Sequence, residues 1–121
     1  MKRVLIVDDD GYLAGSYQLA LTNAGLEVKT IADGAGAVEA AKQFGPDLIS
    51  LDLIMPIKDG LSTLQDLKNI PSLKDIPVVI VTNLDQSDTK QRARDLGAKD
   101  YLVKGDLSID SFVAKIESHL Q

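Results

Sequence analysis

Val4-Leu5-Ile6-Val7-Asp8-Asp9-Asp10 sets the reading of the whole chain. Its first four residues are apolar and mostly β-branched, as suits a strand buried on both faces, and three carboxylates follow at once. The pattern returns three times: Leu48-Ile49-Ser50-Leu51 runs into Asp52, Val78-Val79-Ile80-Val81 into Thr82, and Tyr101-Leu102-Val103 into Lys104. Strands of this kind belong in a parallel sheet covered by helices, because parallel neighbours need crossover connections.

The intervening segments supply those crossovers. Leu13, Tyr17, Ala20, Leu21 and Ala24 recur at helical spacing over residues 12–24, and Gly25 ends the pattern. Ala35–Phe44 is Ala-rich and stops at Gly45-Pro46. Leu61, Leu64 and Leu67 lie on one side of a helix closed by Pro71. Gln86–Leu96 is a polar helix before Gly97, and Ile109, Phe112, Val113, Ile116 and Leu120 stripe a final one. Leu26–Ile31 alternates Leu26 and Val28 with Glu27 and Lys29, the half-exposed pattern of an edge strand. Five βα units with an edge-like second strand predict an α/β fold: a five-stranded, doubly wound parallel sheet of order 2-1-3-4-5, flavodoxin-like, with helices on both faces.

Composition agrees with one domain over residues 1–121. Hydrophobic residues make up 45% of the chain, enough for a core. The longest apolar runs, Val4–Val7 and Pro77–Val81, fall far short of the roughly 18 residues that suggest a membrane span. Met1-Lys2-Arg3 is followed by too few apolar residues for a secretory signal. Zero cysteines exclude disulfides, thiolate metal sites and a cysteine nucleophile. A net charge of −5 argues against nucleic-acid binding through counterion release. A cytoplasmic domain that contacts neither membrane nor nucleic acid is expected.

In open α/β sheets, ligands bind beyond the carboxyl ends of the strands where the strand order reverses. For this order the crevice lies between the first and third strands, which deliver Asp8, Asp9 and Asp52, with Thr82 and Lys104 along the far rim. Singly, such aspartates serve as turn and N-cap residues, and Asp10-Gly11, Asp33-Gly34 and Asp59-Gly60 have that look. Jointly they carry a cost, since two like charges about 4 Å apart repel by about 4 kcal/mol at an effective dielectric near 20. A cation relieves it, and oxygen ligands with room for water and phosphate suit Mg²⁺.

These residues resemble a known family. Val7-Asp8-Asp9, Leu51-Asp52-Leu53-Ile54-Met55-Pro56, Asp59-Gly60, Val81-Thr82 and Tyr101-Leu102-Val103-Lys104 are similar, in order and spacing, to the receiver domain of two-component response regulators, single-domain chemotaxis receivers included. The resemblance spans essentially the whole chain. It implies that Asp52 accepts a phosphoryl group from a histidine kinase or phosphotransfer protein in a Mg²⁺-dependent step. Asp9, Asp52 and the backbone carbonyl of Ile54 would ligate the metal, with Asp8 acting through water. Lys104 and Thr82 would bind phosphoryl oxygens. Tyr101 matches the switch aromatic that turns inward when Thr82 moves, changing the surface of the fourth helix, fifth strand and fifth helix for a downstream protein partner. Kinase docking is expected around the first helix and the loop after Lys104, and phosphorylation-dependent dimerisation through the fourth-helix face remains an alternative.

Two positions depart from the family pattern. Gly105 follows Lys104 where proline is usual, and Asn83 follows Thr82 where a small residue is usual. Ile54 and Leu84, at variable positions flanking the acyl phosphate, are apolar and cannot orient a hydrolytic water, so slow self-dephosphorylation is expected. The expected protein is a signalling phosphoacceptor rather than an enzyme acting on a separate substrate, with no output domain after the fifth helix. The alternatives are a receiver excised from a larger regulator or hybrid kinase, a small Mg²⁺-dependent aspartyl-phosphate phosphatase, and a binding module that is never phosphorylated. A phosphatase would ordinarily carry a second acid where Ile54 stands. His119 is expected on the surface, Gly34-Ala35-Gly36 lacks the third glycine of a dinucleotide fingerprint, and Lys90, Arg92 and Arg94 read as a solvated helix face or part of an output surface.

Overall fold

A computed structural model describes residues 1–121. The elements alternate along the chain: β1 (Arg3–Val7), α1 (Gly11–Asn23), β2 (Glu27–Ile31), α2 (Ala37–Phe44), β3 (Leu48–Leu51), α3 (Gly60–Asn69), β4 (Val78–Thr82), α4 (Ser87–Asp95), β5 (Asp100–Val103) and α5 (Ile109–His119). The strands form one parallel sheet in the order β2-β1-β3-β4-β5. This is the predicted topology. The predicted second helix is shorter than expected at its start: Gly34–Gly36 forms a separate 3₁₀ turn, held by the Asp33 carboxylate accepting from the Gly36 amide at 3.2 Å.

Two-faced burial explains why the central strands are continuous apolar runs. Along β1, Leu5 and Val7 enter a core layer shared with α2, α3 and Ala93 of α4, while Val4 and Ile6 enter a second layer with α1 and α5. In that second layer the rings of Tyr17 and Phe112 stack at 3.9 Å between centroids, fastening α1 to α5. β2 is at one edge and fully buries none of its residues, as the alternating pattern anticipates.

Side-chain caps start three helices. Asp10, Asp59 and Ser108 accept from the amides of Leu13, Ser62 and Ser111 at 3.0, 2.9 and 3.0 Å. The turn reading of Asp10-Gly11 and Asp59-Gly60 is therefore correct for those two aspartates. α4 has no such cap, and Ala93 is its one buried residue.

His119 departs from expectation. It is half-buried, and its Nε2 lies 2.8 Å from Asp100 Oδ2, joining the end of α5 to the start of β5. Burial opposes ionisation of Asp100, but the bond to His119 and that from the Tyr101 amide outweigh it and hold the carboxyl below its usual 3.8. A carboxyl lowered on folding adds stability above its unfolded value, lost as pH falls through the folded one. Asp100→Asn should therefore cost about 1 kcal/mol at neutral pH, with the gap closing below pH 3.8, as urea unfolding across that range would show.

Candidate functional site

Val7 pairs with Leu51 across β1 and β3, so Asp8 and Asp52 leave adjacent strands at one level. The ladder extends one step further, with the Asp52 amide donating to the Val7 carbonyl at 2.9 Å. Asp8 and Asp52 are each only 5% exposed, whereas Asp9 is exposed. One carboxylate oxygen from each of the three lies within 4.8 Å of the others.

Lys104 closes the group. Its ammonium lies 2.9 Å from Asp8 Oδ2 and 3.0 Å from Asp52 Oδ2, and its side chain is 8% exposed. It reaches them through a 3₁₀ turn, Lys104–Asp106, with Gly105 at its centre and no cis peptide bond. The other oxygens are engaged by backbone: Asp8 Oδ1 accepts from the Asp10 amide at 2.9 Å, and Asp52 Oδ1 from the Ile54 amide at 3.2 Å. Burial pushes the Asp8 carboxyl up, against the opposing pull of Lys104. Burial works against the Lys104 ammonium too, but its bonds to Asp8 and Asp52 prevail and raise it.

One ammonium among three carboxylates leaves the cluster two negative charges in excess. The donors are hard oxygens, and they fit a divalent cation such as Mg²⁺ better than a second lysine. A cavity of about 210 Å³ opens over Asp9 and Asp52, walled also by Asp10, Ile54, Asn83 and Lys104, whereas Asp8 lines a separate hollow against α1 and the end of β2. Larger hollows between α1 and α5 and at the opposite end of the sheet hold no such convergence of carboxylates.

The remaining predicted residues divide. Ile54 and Asn83 line the cavity. Leu84 does not: it is half-buried and packs against the core layer beneath α2–α4. Thr82 is fully buried at the end of β4, and its Oγ1 accepts from the Leu84 amide at 3.4 Å. The Tyr101 hydroxyl donates to the Leu84 carbonyl at 2.7 Å, so the ring is turned in and one residue's backbone touches both side chains.

Gly60 has a role that sequence reasoning missed. A Cβ there would lie 2.2 Å from the Asp52 carbonyl oxygen and 2.5 Å from Leu53 Cα. The glycine lets α3 begin against the backbone that carries Asp52, and its amide donates to the Leu53 carbonyl at 3.0 Å. The signal was present in Asp59-Gly60, which reads equally well as an ordinary turn.

The model of the response regulator receiver domain matches residues 4–117. The chain belongs to the response regulator receiver family. Aspartate phosphorylation and Mg²⁺ binding at an acidic pocket are general to receivers, which are signalling domains rather than conventional enzymes. Among curated relatives, the DNA-binding dual master transcriptional regulator RpaA of Synechocystis is 36% identical over 121 residues, all of this chain and 50% of RpaA. The receiver thus spans about half the length of the curated relatives it matches. Among solved structures, chemotaxis protein CheY4 of Vibrio cholerae superposes with a TM-score of 0.91 at 28% identity, covering 98% of both chains. The BeF3-activated N-terminal receiver domain of Klebsiella pneumoniae RstA gives 0.90 at 27%, covering 99% of both. In this receiver no helix is long and apolar enough to cross a membrane.

Proposed function

We propose that Asp52 is the phosphoacceptor of this receiver, taking a phosphoryl group from a phosphohistidine of a kinase or phosphotransfer protein. The observation that carries this reading is the position of Asp52: nearly buried, paired with Lys104, clustered with Asp8 and Asp9, and lining the cavity that Asp9 and Lys104 share. In the transfer an Asp52 carboxylate oxygen bonds to phosphorus, the P–N bond breaks, and the donor imidazole keeps the electron pair and takes up a proton. Asp9, Asp52 and the carbonyl of Ile54 would hold Mg²⁺, with Asp8 acting through water. Mg²⁺ held there would supply positive charge between the Asp52 carboxylate and the incoming phosphoryl group, which an anionic nucleophile otherwise repels.

Lys104 then exchanges carboxylate partners for a phosphoryl oxygen, acting as a compact charge on a flexible stem. Thr82 donates its hydroxyl to another. Because the Leu84 backbone bonds both Thr82 and Tyr101, drawing Thr82 toward the cavity alters the seat of Tyr101 and the α4–β5–α5 surface. Inverting an equilibrium of roughly 1:99 needs about 5.5 kcal/mol, within reach of a lysine pair, a hydroxyl bond and metal contacts combined. The partner that reads this surface is a downstream protein. The protein acts in the cytoplasm, either as a free receiver or within a longer regulator.

Beryllofluoride, a stable phosphoryl mimic, tests the reading without a kinase. With Mg²⁺ it should shift the backbone amide resonances of Asp52, Thr82, Leu84 and Tyr101, and without Mg²⁺ it should not. Unchanged spectra with both present would count against Asp52 as acceptor. Ile54, with no polar group to orient water, keeps the acyl phosphate long-lived. Ile54→Asn should speed its decay several-fold, whereas Leu84→Met, half-buried against the core layer and outside the cavity's walls, should leave the decay rate unchanged. Decay of phosphorylated protein by intact mass measures both.

A further inference from the structure

The hold on Tyr101 extends beyond the Leu84 carbonyl. Lys90, one turn into α4, places its ammonium 5.9 Å from the centre of the Tyr101 ring and 2.5 Å from Asp85 Oδ1 in the β4–α4 loop. A cation over an aromatic face is attracted to it, and here the cation is tethered by a carboxylate from the loop that supplies Leu84.

α4 depends on this bracket more than its neighbours would. α1, α3 and α5 each begin on a side-chain cap, whereas Gln86 caps α4 with no side-chain bond. Ala93 alone is buried from α4, against three or four residues each from α1 and α3. A helix so lightly packed opens and shifts more readily than one seated in the core. The pair Asp85–Lys90 spans its first turn, where the missing cap would act, and ties that turn to Tyr101.

We propose that Lys90 and Asp85 are positioning residues that together latch Tyr101 in its inward seat before any phosphoryl group arrives. This rests on Tyr101 being the moving side chain of the proposed switch. The latch sets the starting point of the switch. It keeps the α4–β5–α5 surface partly pre-formed in the unmodified chain, so that phosphorylation completes a population already present. Outward rotation of Tyr101 breaks its bond to Leu84 and withdraws the ring from the ammonium. The lysine does not follow, because Asp85 holds it at the loop.

The side-chain rotamer of Tyr101, read by NMR from ring-labelled tyrosine in the unmodified chain without donor or metal, tests this directly. That measurement stands apart from acceptor chemistry, so a failure here leaves phosphorylation of Asp52 untouched, and the converse holds. Lys90→Met and Asp85→Asn should each lower the inward-to-outward ratio by about threefold to fivefold, the scale of a half-exposed ion pair with a cation–π contact. The double variant should fall no further than Lys90→Met alone, and Lys90→Arg should keep the wild-type ratio. An unchanged ratio in both single variants would overturn the latch, as would fully additive losses in the double variant. A shared drop in melting temperature with no rotamer change would assign Lys90 to helix stability and overturn it equally.

Discussion

Gly60→Ala is expected to destabilise the receiver by about 3 kcal/mol, the upper end of ordinary overpacking, and to abolish phosphorylation of Asp52. The added methyl would overlap the Asp52–Leu53 peptide, at the Asp52 carbonyl oxygen and at Leu53 Cα. No side-chain rotation can relieve that overlap. Either α3 withdraws, or the Asp52–Leu53 backbone moves and takes the Asp52 carboxylate with it. Asp59, which caps α3 from the preceding position, would be displaced in the same step. Urea unfolding measures the first effect and acetyl-phosphate labelling the second. A variant as stable as the wild type, with full labelling, would show that the helix start is not seated as described.

Lys104→Met is expected to cost about 3–5 kcal/mol without metal, as removing one partner of a buried charge pair does. Asp8 and Asp52 would be left facing each other at the sheet's end, their ammonium gone. Mg²⁺ should recover much of that loss, because the cation replaces the missing positive charge among the same oxygens, and unfolding with and without Mg²⁺ measures the recovery. Folding raises Lys104 above its usual 10.5, so its contribution is fully present below that value and is lost as pH climbs through the raised one. The stability gap between wild type and variant should therefore be flat at neutral pH and narrow in alkali. A gap that widens in alkali would contradict the pairing.

The fold was readable because the physics behind it is local and repeated. Val4–Val7, Leu48–Leu51 and Val78–Val81 are apolar at every position but Ser50, which only strands covered on two faces tolerate. β2 announced its edge position by mixing Glu27 and Lys29 with Val28. Much of the candidate site's placement was readable for the same reason, since Asp8, Asp52, Thr82 and Lys104 sit at or just past strand ends and parallel strands end together.

What sequence could not show depends on distances between segments far apart in the chain. Asp8 and Asp9 are adjacent and identical in type, yet one is buried under Lys104 and the other faces the cavity mouth. His119 resembles a fraying helix end until β5 brings Asp100 within 2.8 Å of it. Leu84 follows Thr82 closely enough to be read as a cavity residue, yet its half-buried side chain packs against the core layer while its backbone holds Tyr101. Gly60 looks like half of a turn because nothing in a sequence reports the approach of another backbone.

Intact mass after incubation with acetyl phosphate, with and without Mg²⁺ and beside Asp52→Ala, tests the central claim most directly. Acetyl phosphate supplies the phosphoryl group with no kinase present. Acceptance at Asp52 predicts the gain of one phosphoryl group with Mg²⁺, none without it, and none in Asp52→Ala. An adduct that persists in Asp52→Ala, or no adduct in the wild type under conditions where Mg²⁺ binds, would contradict it.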